Sequence, residues 1–299
     1  MSELRQEQRP SPAMLVVRGP NAEAAQRLMD RHARSFAPAA RFMPRHERDD
    51  IARLYAICRT ADDLADEAPP EIGRRRLDAI RADLYNDSTR DRIAFEAQSL
   101  FSDAPHGLDA FGRLLDGLRR DLDPLCLKDD AELDGYADAV AGTVGEMICA
   151  LFDIPTAHRP EAIALGRAMQ FTNIARDVRE DAVRGRRYLP ATRCPATPDA
   201  IAGREPAAVE AAAVATRALL DRADGFYRDG RAGLIALPLR LRLAVAVAAR
   251  LYQGIGSVIR RQHANPHAPR AVVPLGQKIR LALTGIADAL FARWHSRAR

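Results

Sequence analysis

At 299 residues the chain is long enough for a sizeable core in one domain or two. Its net charge of +5 is carried mostly by arginines dispersed among acids. With no lysine run and no basic stripe interleaved with aromatics, a nucleic-acid partner is not expected. The four cysteines, Cys58, Cys126, Cys149 and Cys194, lack Cys-x-x-Cys spacing and offer neither a zinc nor a disulfide framework, in keeping with a reducing cytoplasm.

Residues 1–20 are polar and proline-containing, without an apolar run of signal length. They read as a flexible tail ahead of one domain over 21–299. Ala-rich segments with helical periodicity follow at 21–36, 44–67, 72–86, 91–101, 110–122, 131–152, 161–183, 207–227, 238–261 and 275–294. Strand-type alternation is nearly absent and aromatics make up only 5 %, so the fold class expected is all-α, a helical bundle. Pro44 suits a helix first turn, Pro69-Pro70 stops the second segment directly after its last carboxylate, and Gly185 with Pro190 closes the seventh in the same way. The longest loops are 191–206 and 263–274. The most apolar stretch, 234–259, is interrupted by Arg240, Arg242 and Arg250, which is wrong for a membrane span, so a soluble or peripheral protein is expected.

Two of these helices repeat one polar pattern. Tyr55, Arg59, Asp62 and Asp66 sit at offsets 0, 4, 7 and 11, and Gln170, Asn173, Asp177 and Asp181 at 0, 3, 7 and 11. Eleven residues at about 100° each return to within roughly 20° of the starting direction, so each set forms a stripe. Apolar neighbours flank both: Ile57, Ala61, Leu64 and Ala65 in the first, Phe171, Ile174, Ala175 and Val178 in the second. Asp-Asp-Leu-Ala-Asp-Glu alone is commonly a solvated acidic face. Twice over, with an arginine in each (Arg59, Arg176) and interior-compatible flanks, it indicates a shared site. Carboxylates one turn apart repel, and two such pairs facing each other need a cation. Few hard oxygen ligands, completed by water and phosphate, suit Mg²⁺, and that implies a phosphate-bearing substrate.

Tyr-x-x-x-Arg-x-x-Asp-Asp-x-x-Asp-Glu from Tyr55, Gln-x-x-Asn-x-x-Arg-Asp-x-x-Glu-Asp from Gln170, and Gly185-Arg-Arg-Tyr-Leu-Pro190 together resemble the squalene and phytoene synthases. The likeness takes in Ser35-Phe36, Tyr136, Gly142-Thr-Val-Gly-Glu146 and Tyr252, across about residues 30 to 280. It implies an isoprenoid synthase helical bundle with a central cavity, joining two allylic prenyl diphosphates head to head. Asp62, Asp66, Asp177 and Asp181 would then hold Mg²⁺, with Mn²⁺ able to substitute, and serve catalysis with Arg59 and Tyr188. Ser35, Phe36, Tyr55, Arg59, Tyr136, Gly145, Gln170, Asn173, Arg176, Arg186, Tyr188 and Tyr252 would bind substrate.

Overall likeness to bacterial carotenoid enzymes, notably Asn173-Ile-Ala-Arg-Asp-Val178 and Tyr252-Gln-Gly-Ile-Gly256, implies geranylgeranyl diphosphate as partner and phytoene as product, without NADPH. The alternatives are a presqualene diphosphate, squalene or dehydrosqualene synthase using farnesyl diphosphate, and a non-catalytic assembly factor. Because the substrate tails and product would be lipophilic, a cytoplasmic protein in peripheral contact with the inner membrane face is expected.

Plainer roles stand beside several of these. Arg176 is placed for an i+4 ion pair with Glu180; Arg184, Arg186 and Arg187 for a solvated helix end; the tyrosines for buried, satisfied hydroxyls, or else for bonding diphosphate or facing cations. Gly142 and Gly145 suit close helix packing or passage of a hydrocarbon close to the backbone. Arg187 stands where the family more often has an aliphatic residue, and Arg270 and Lys278 match it weakly.

Overall fold

Alanine, leucine and arginine fill the periodic segments, and the prolines inside described helices fall only in first turns, so local preference in these segments is helical. The computed structural model describes residues 22–32 and 43–295. The expected tail at 1–20 lies outside them, as do Ser35 and Phe36.

Among the described residues twelve α-helices form: α1 (Ala22–His32), α2 (Arg45–Asp66), α3 (Pro70–Asp83), α4 (Arg92–Leu100), α5 (Pro105–Arg119), α6 (Asp130–Ala137), α7 (Thr143–Leu151), α8 (Arg159–Val183), α9 (Pro198–Ala202), α10 (Pro206–Ala232), α11 (Leu239–Arg261) and α12 (Leu275–His295). No strand forms among them, only a lone bridge between Cys126 and Arg187. Side-chain caps fix some of the starts: Asp91 accepts from the amides of Ile93 and Ala94 ahead of α4, and Asp129 from Glu132 ahead of α6.

Two departures from the sequence reading matter for the site. The segment 131–152 is not one α-helix: a π-helical turn, Asp138–Gly142, separates α6 from α7. Such a turn widens the helix locally, and glycines let it come close to α8. A Cβ at Gly166 would overlap the carbonyl of Ala141, and one at Gly145 the carbonyl of Ala162. Close helix packing therefore requires glycine at 145, which also borders the cavity described below. The loop 191–206 contains the short helix α9, started by Thr197, whose hydroxyl accepts from the Ala200 amide.

Helix α8 is the central strut, packed on α10, α11, α7 and the π turn. Three buried clusters surround the cavity. One joins α6, α8, α10 and α11 through Tyr136, Phe171, Leu219 and Ile259. A second joins α2 to α5 through Ile57, Leu77 and Phe111, and a third joins α1, α2, α11 and α12 through Met29, Ile51, Leu241 and Ala289. No helix among the described residues is long and apolar enough to cross a membrane.

Candidate active site

A cavity of about 960 Å³ opens between α2 and α8, at the upper end of the range for small-molecule sites. Both polar stripes face it. Tyr55, Arg59, Asp62 and Asp66 line it from α2; Gln170, Asn173, Arg176, Asp177 and Asp181 from α8; Tyr136 from α6, Tyr252 from α11, and Arg186 and Tyr188 from the loop after α8. Away from the carboxylates the walls are apolar, with Leu54, Val144, Ile148, Leu165, Met169 and Ile255 among them. One cavity thus has a charged region and a hydrocarbon-compatible one.

The second stripe is not straight. Asp177 leaves helical geometry (φ −107°, ψ 16°), kinking α8 at the carboxylate itself. Adjacent residues on a regular helix point about 100° apart and do not face each other. The kink lets Arg176 grip its own neighbour: its Nε donates to Asp177 Oδ1 at 2.9 Å and its Nη2 to Oδ2 at 2.5 Å. Arg176 is therefore not paired with Glu180. Arg270 takes that place, 3.8 Å from Glu180 and 2.9 Å from Asp177.

The other carboxylates are held unequally. Arg59 reaches Asp62 at 3.3 Å, Asp63 at 2.5 Å and Glu67 at 3.4 Å. Arg186 donates to Asp66 at 2.7 Å and to the Ala65 carbonyl at 3.2 Å, and Arg184 stands 3.4 Å from Asp66. Among the described residues no ion pair reaches Asp181. Burial, then repulsion from Asp177 and, across the cavity, from Asp66 push its carboxyl up to about 8, although Arg186 and Arg184 oppose the shift. Asp62 is pushed up to about 6, by burial and then by Asp66.

As they stand, no three His, Cys, Asp or Glu side chains among the described residues converge closely enough to hold a metal ion. The donor set nonetheless fits one. All four aspartate side chains offer hard oxygens, Asp62 and Asp181 carry repulsion that a cation relieves, and the buried Oδ1 of Asn173, one turn before Asp177, has no hydrogen-bond partner.

The sequence reading missed Asp121. It lies just after α5, only 6 % exposed, and accepts from the hydroxyls of both Tyr136 and Tyr188 at 2.8 Å each. The two rings stack with centroids 4.8 Å apart. Burial pushes the Asp121 carboxyl up to about 6 against the pull of these two bonds and of Arg186. Each phenol has a single proton, and both are committed to Asp121. Tyr136 and Tyr188 therefore offer the cavity lone pairs and ring faces, not donors for a diphosphate. No motif marks Asp121 in the sequence; only its contacts identify it.

Arg187 turns away from the cavity. It donates to the carbonyls of Ala196 (2.8 Å) and Leu127 (3.4 Å), and its backbone exchanges hydrogen bonds with Leu125 and Leu127, so it pins the loop that carries Arg186 and Tyr188. Cys58, on the cavity wall, has its thiol pushed up to about 12 by burial, so it stays neutral and serves as apolar surface.

Comparison with known proteins agrees with this architecture. The family model described as squalene/phytoene synthase matches residues 29–277. The chain is 35 % identical to a 15-cis-phytoene synthase of Paracoccus sp., over 87 % of this chain and 88 % of that protein. It is 33 % identical to a presqualene diphosphate synthase of Rhodopseudomonas palustris, over 83 % of this chain and 91 % of the other. Among solved structures, a dehydrosqualene synthase in complex with ligand superposes with a TM-score of 0.78 at 27 % identity, covering 89 % of this chain and 95 % of that one. With its all-α bundle and two facing aspartate stripes, the chain belongs to the squalene/phytoene synthase family.

Proposed function

We propose that the protein condenses two geranylgeranyl diphosphates head to head, through prephytoene diphosphate, to phytoene. The observation that carries this reading is the single cavity with opposed aspartate stripes in one part and apolar walls in the rest. The preference for the longer substrate draws on the relatives named phytoene synthase. The farnesyl alternative draws on a relative named presqualene diphosphate synthase and a neighbour named dehydrosqualene synthase.

The residues divide the work by chemistry. Asp62 and Asp66 from α2, with Asp177 and Asp181 from α8, would hold Mg²⁺, which when bound draws charge from a departing diphosphate as a Lewis acid. Arg59, Arg186, Arg184 and Arg270 lie among these carboxylates; once the carboxylates have a metal, the guanidinium groups are free to take phosphate oxygens. The apolar walls bury the prenyl chains and exclude water from an allylic cation. The stacked Tyr136 and Tyr188 present π-faces and phenol lone pairs suited to cationic carbon. Ending the reaction by proton loss requires no reductant, so phytoene formation proceeds without NADPH. A non-catalytic role is disfavoured by the repulsion between Asp62 and Asp66 and between Asp181 and Asp177, since such carboxylates are costly to retain without a metal.

The test is incubation of purified protein with Mg²⁺ and geranylgeranyl diphosphate, without NADPH, followed by mass spectrometry of the organic extract. Phytoene is the expected product. Coupled product from farnesyl diphosphate alone would transfer the assignment to the shorter substrate, and no coupled product from either would overturn an enzymatic role.

A further inference from the structure

Among the described residues, helix α12 is held on one side and bare on the other. Its inner side packs on α11: Asp288 pairs with Arg250 at 2.5 Å, Leu281 lies against Gly254, and Gly285 against the backbone of Ala246 and Val247. On its outer side Leu275, Ile279, Leu283, Ile286 and Leu290 follow at spacings of 4, 4, 3 and 4 residues. At about 100° per residue they fall within an arc of roughly 80°. Their exposures are 74, 56, 63, 39 and 55 %, and Val272, just ahead of the helix, is 64 % exposed. Single exposed leucines need no explanation; five aligned along one helix do.

The described outward charges of α12 itself have one sign. Lys278 and Arg280 are exposed in the first turns, and Asp288, the single acid of α12, is turned inward onto Arg250. The stripe also begins beside the cavity, because Arg270, two residues before Val272, lines it and pairs with Asp177. An apolar face with basic residues and no outward acid has the character of a helix that lies in a bilayer interface, and its positive charge complements anionic headgroups.

We propose that this face of α12 is a membrane-docking surface for an anionic bilayer, with the Leu275 to Leu290 stripe at the acyl boundary and Lys278 and Arg280 against the headgroups. Docking there sets the cavity mouth near the bilayer surface. That placement rests on the prenyl-substrate reading above, since a lipid-borne substrate and product give the adjacency its purpose. The exposed stripe and its charge do not depend on it.

The test is vesicle flotation of the full-length protein without substrate, using phosphatidylcholine alone and phosphatidylcholine with phosphatidylglycerol. Ile279→Asp/Leu283→Asp and Lys278→Glu/Arg280→Glu are compared with the unaltered protein, with circular dichroism and gel filtration in parallel. The expected result is binding to the anionic vesicles that weakens with salt and falls at least tenfold in both variants, with helix content and detergent-solubilised turnover unchanged. Failure of the unaltered protein to bind, equal binding by the variants, or a dimer that Ile279→Asp/Leu283→Asp splits would overturn the proposal; the last would assign the face to a second copy of the chain. Vesicle binding without turnover of any prenyl diphosphate would uphold the docking surface and overturn the substrate reading instead.

Discussion

Replacing Asp181 with asparagine should make the metal-free protein more stable, an unusual outcome for a residue proposed as a ligand. The folded structure raises this carboxyl from its usual 3.8 to about 8, through burial and the negative charges of Asp177 and Asp66. Fully felt, a shift of about four units corresponds to about 6 kcal/mol at roughly 1.4 kcal/mol per unit. Asp181 is only partly buried, and water at the cavity reduces the expected gain to about 1–3 kcal/mol.

The sign of the pH dependence follows. A carboxyl raised on folding favours the native state when protonated, below its unfolded value of 3.8, and loses that contribution as pH rises through about 8. The advantage of Asp181→Asn in EDTA should therefore be small near about pH 5 and full near about pH 8, where the melting temperature should rise by a few degrees at about 2 °C per kcal/mol. Added Mg²⁺ should stabilise the unaltered protein more than the variant, because binding to the native state then offsets the repulsion. Thermal melts at the two pH values, with and without Mg²⁺, measure all of this. A variant less stable than the unaltered protein at both pH values would refute the reasoning, since it would mean Asp181 makes favourable native contacts rather than suffering repulsion.

Other perturbations separate the site from its scaffold. Asp62→Ala/Asp177→Ala should abolish turnover with the circular dichroism spectrum retained; product from that variant would rule out the proposed ligand set. Asp121→Asn leaves at least one phenol hydroxyl without an acceptor, at about 1–3 kcal/mol, so kcat should fall about tenfold or more in a steady-state assay while KM changes little. Arg187→Met removes two bonds to carbonyls and should lower stability by about 1–3 kcal/mol in urea melts, with turnover at low temperature nearly unaffected. Gly166→Ala forces a methyl onto the Ala141 carbonyl and should destabilise by about 1–3 kcal/mol or more, read in the same melts.

The helices were legible because their periodicity, proline starts and glycine or proline ends are local signals, and the helix bounds differ from the sequence reading by only a few residues in α2, α8, α11 and α12. The π turn at Asp138–Gly142 was not, because it is set by how closely α8 approaches Ala141, a tertiary contact. Spacing alone placed both aspartate stripes on helices, and the structure turns them toward one cavity. It could not show the kink at Asp177, where the guanidinium groups of Arg176 and Arg270 gather on one carboxylate. Asp121 stayed hidden for the same reason: an Arg-Arg-Asp-Leu stretch looks like a solvated helix end until two tyrosines from distant segments are seen to converge on it. Arg187, beside Arg186 in sequence, takes the opposite direction because residues before Leu127 form a bridge with its backbone.

Competition between the two prenyl diphosphates separates phytoene formation from its farnesyl alternatives. Purified protein is given equal concentrations of geranylgeranyl and farnesyl diphosphate with Mg²⁺ and NADPH, and the products are resolved by mass spectrometry. Phytoene should be the dominant product, unaffected by withholding NADPH. Predominance of presqualene diphosphate, dehydrosqualene or squalene would contradict it.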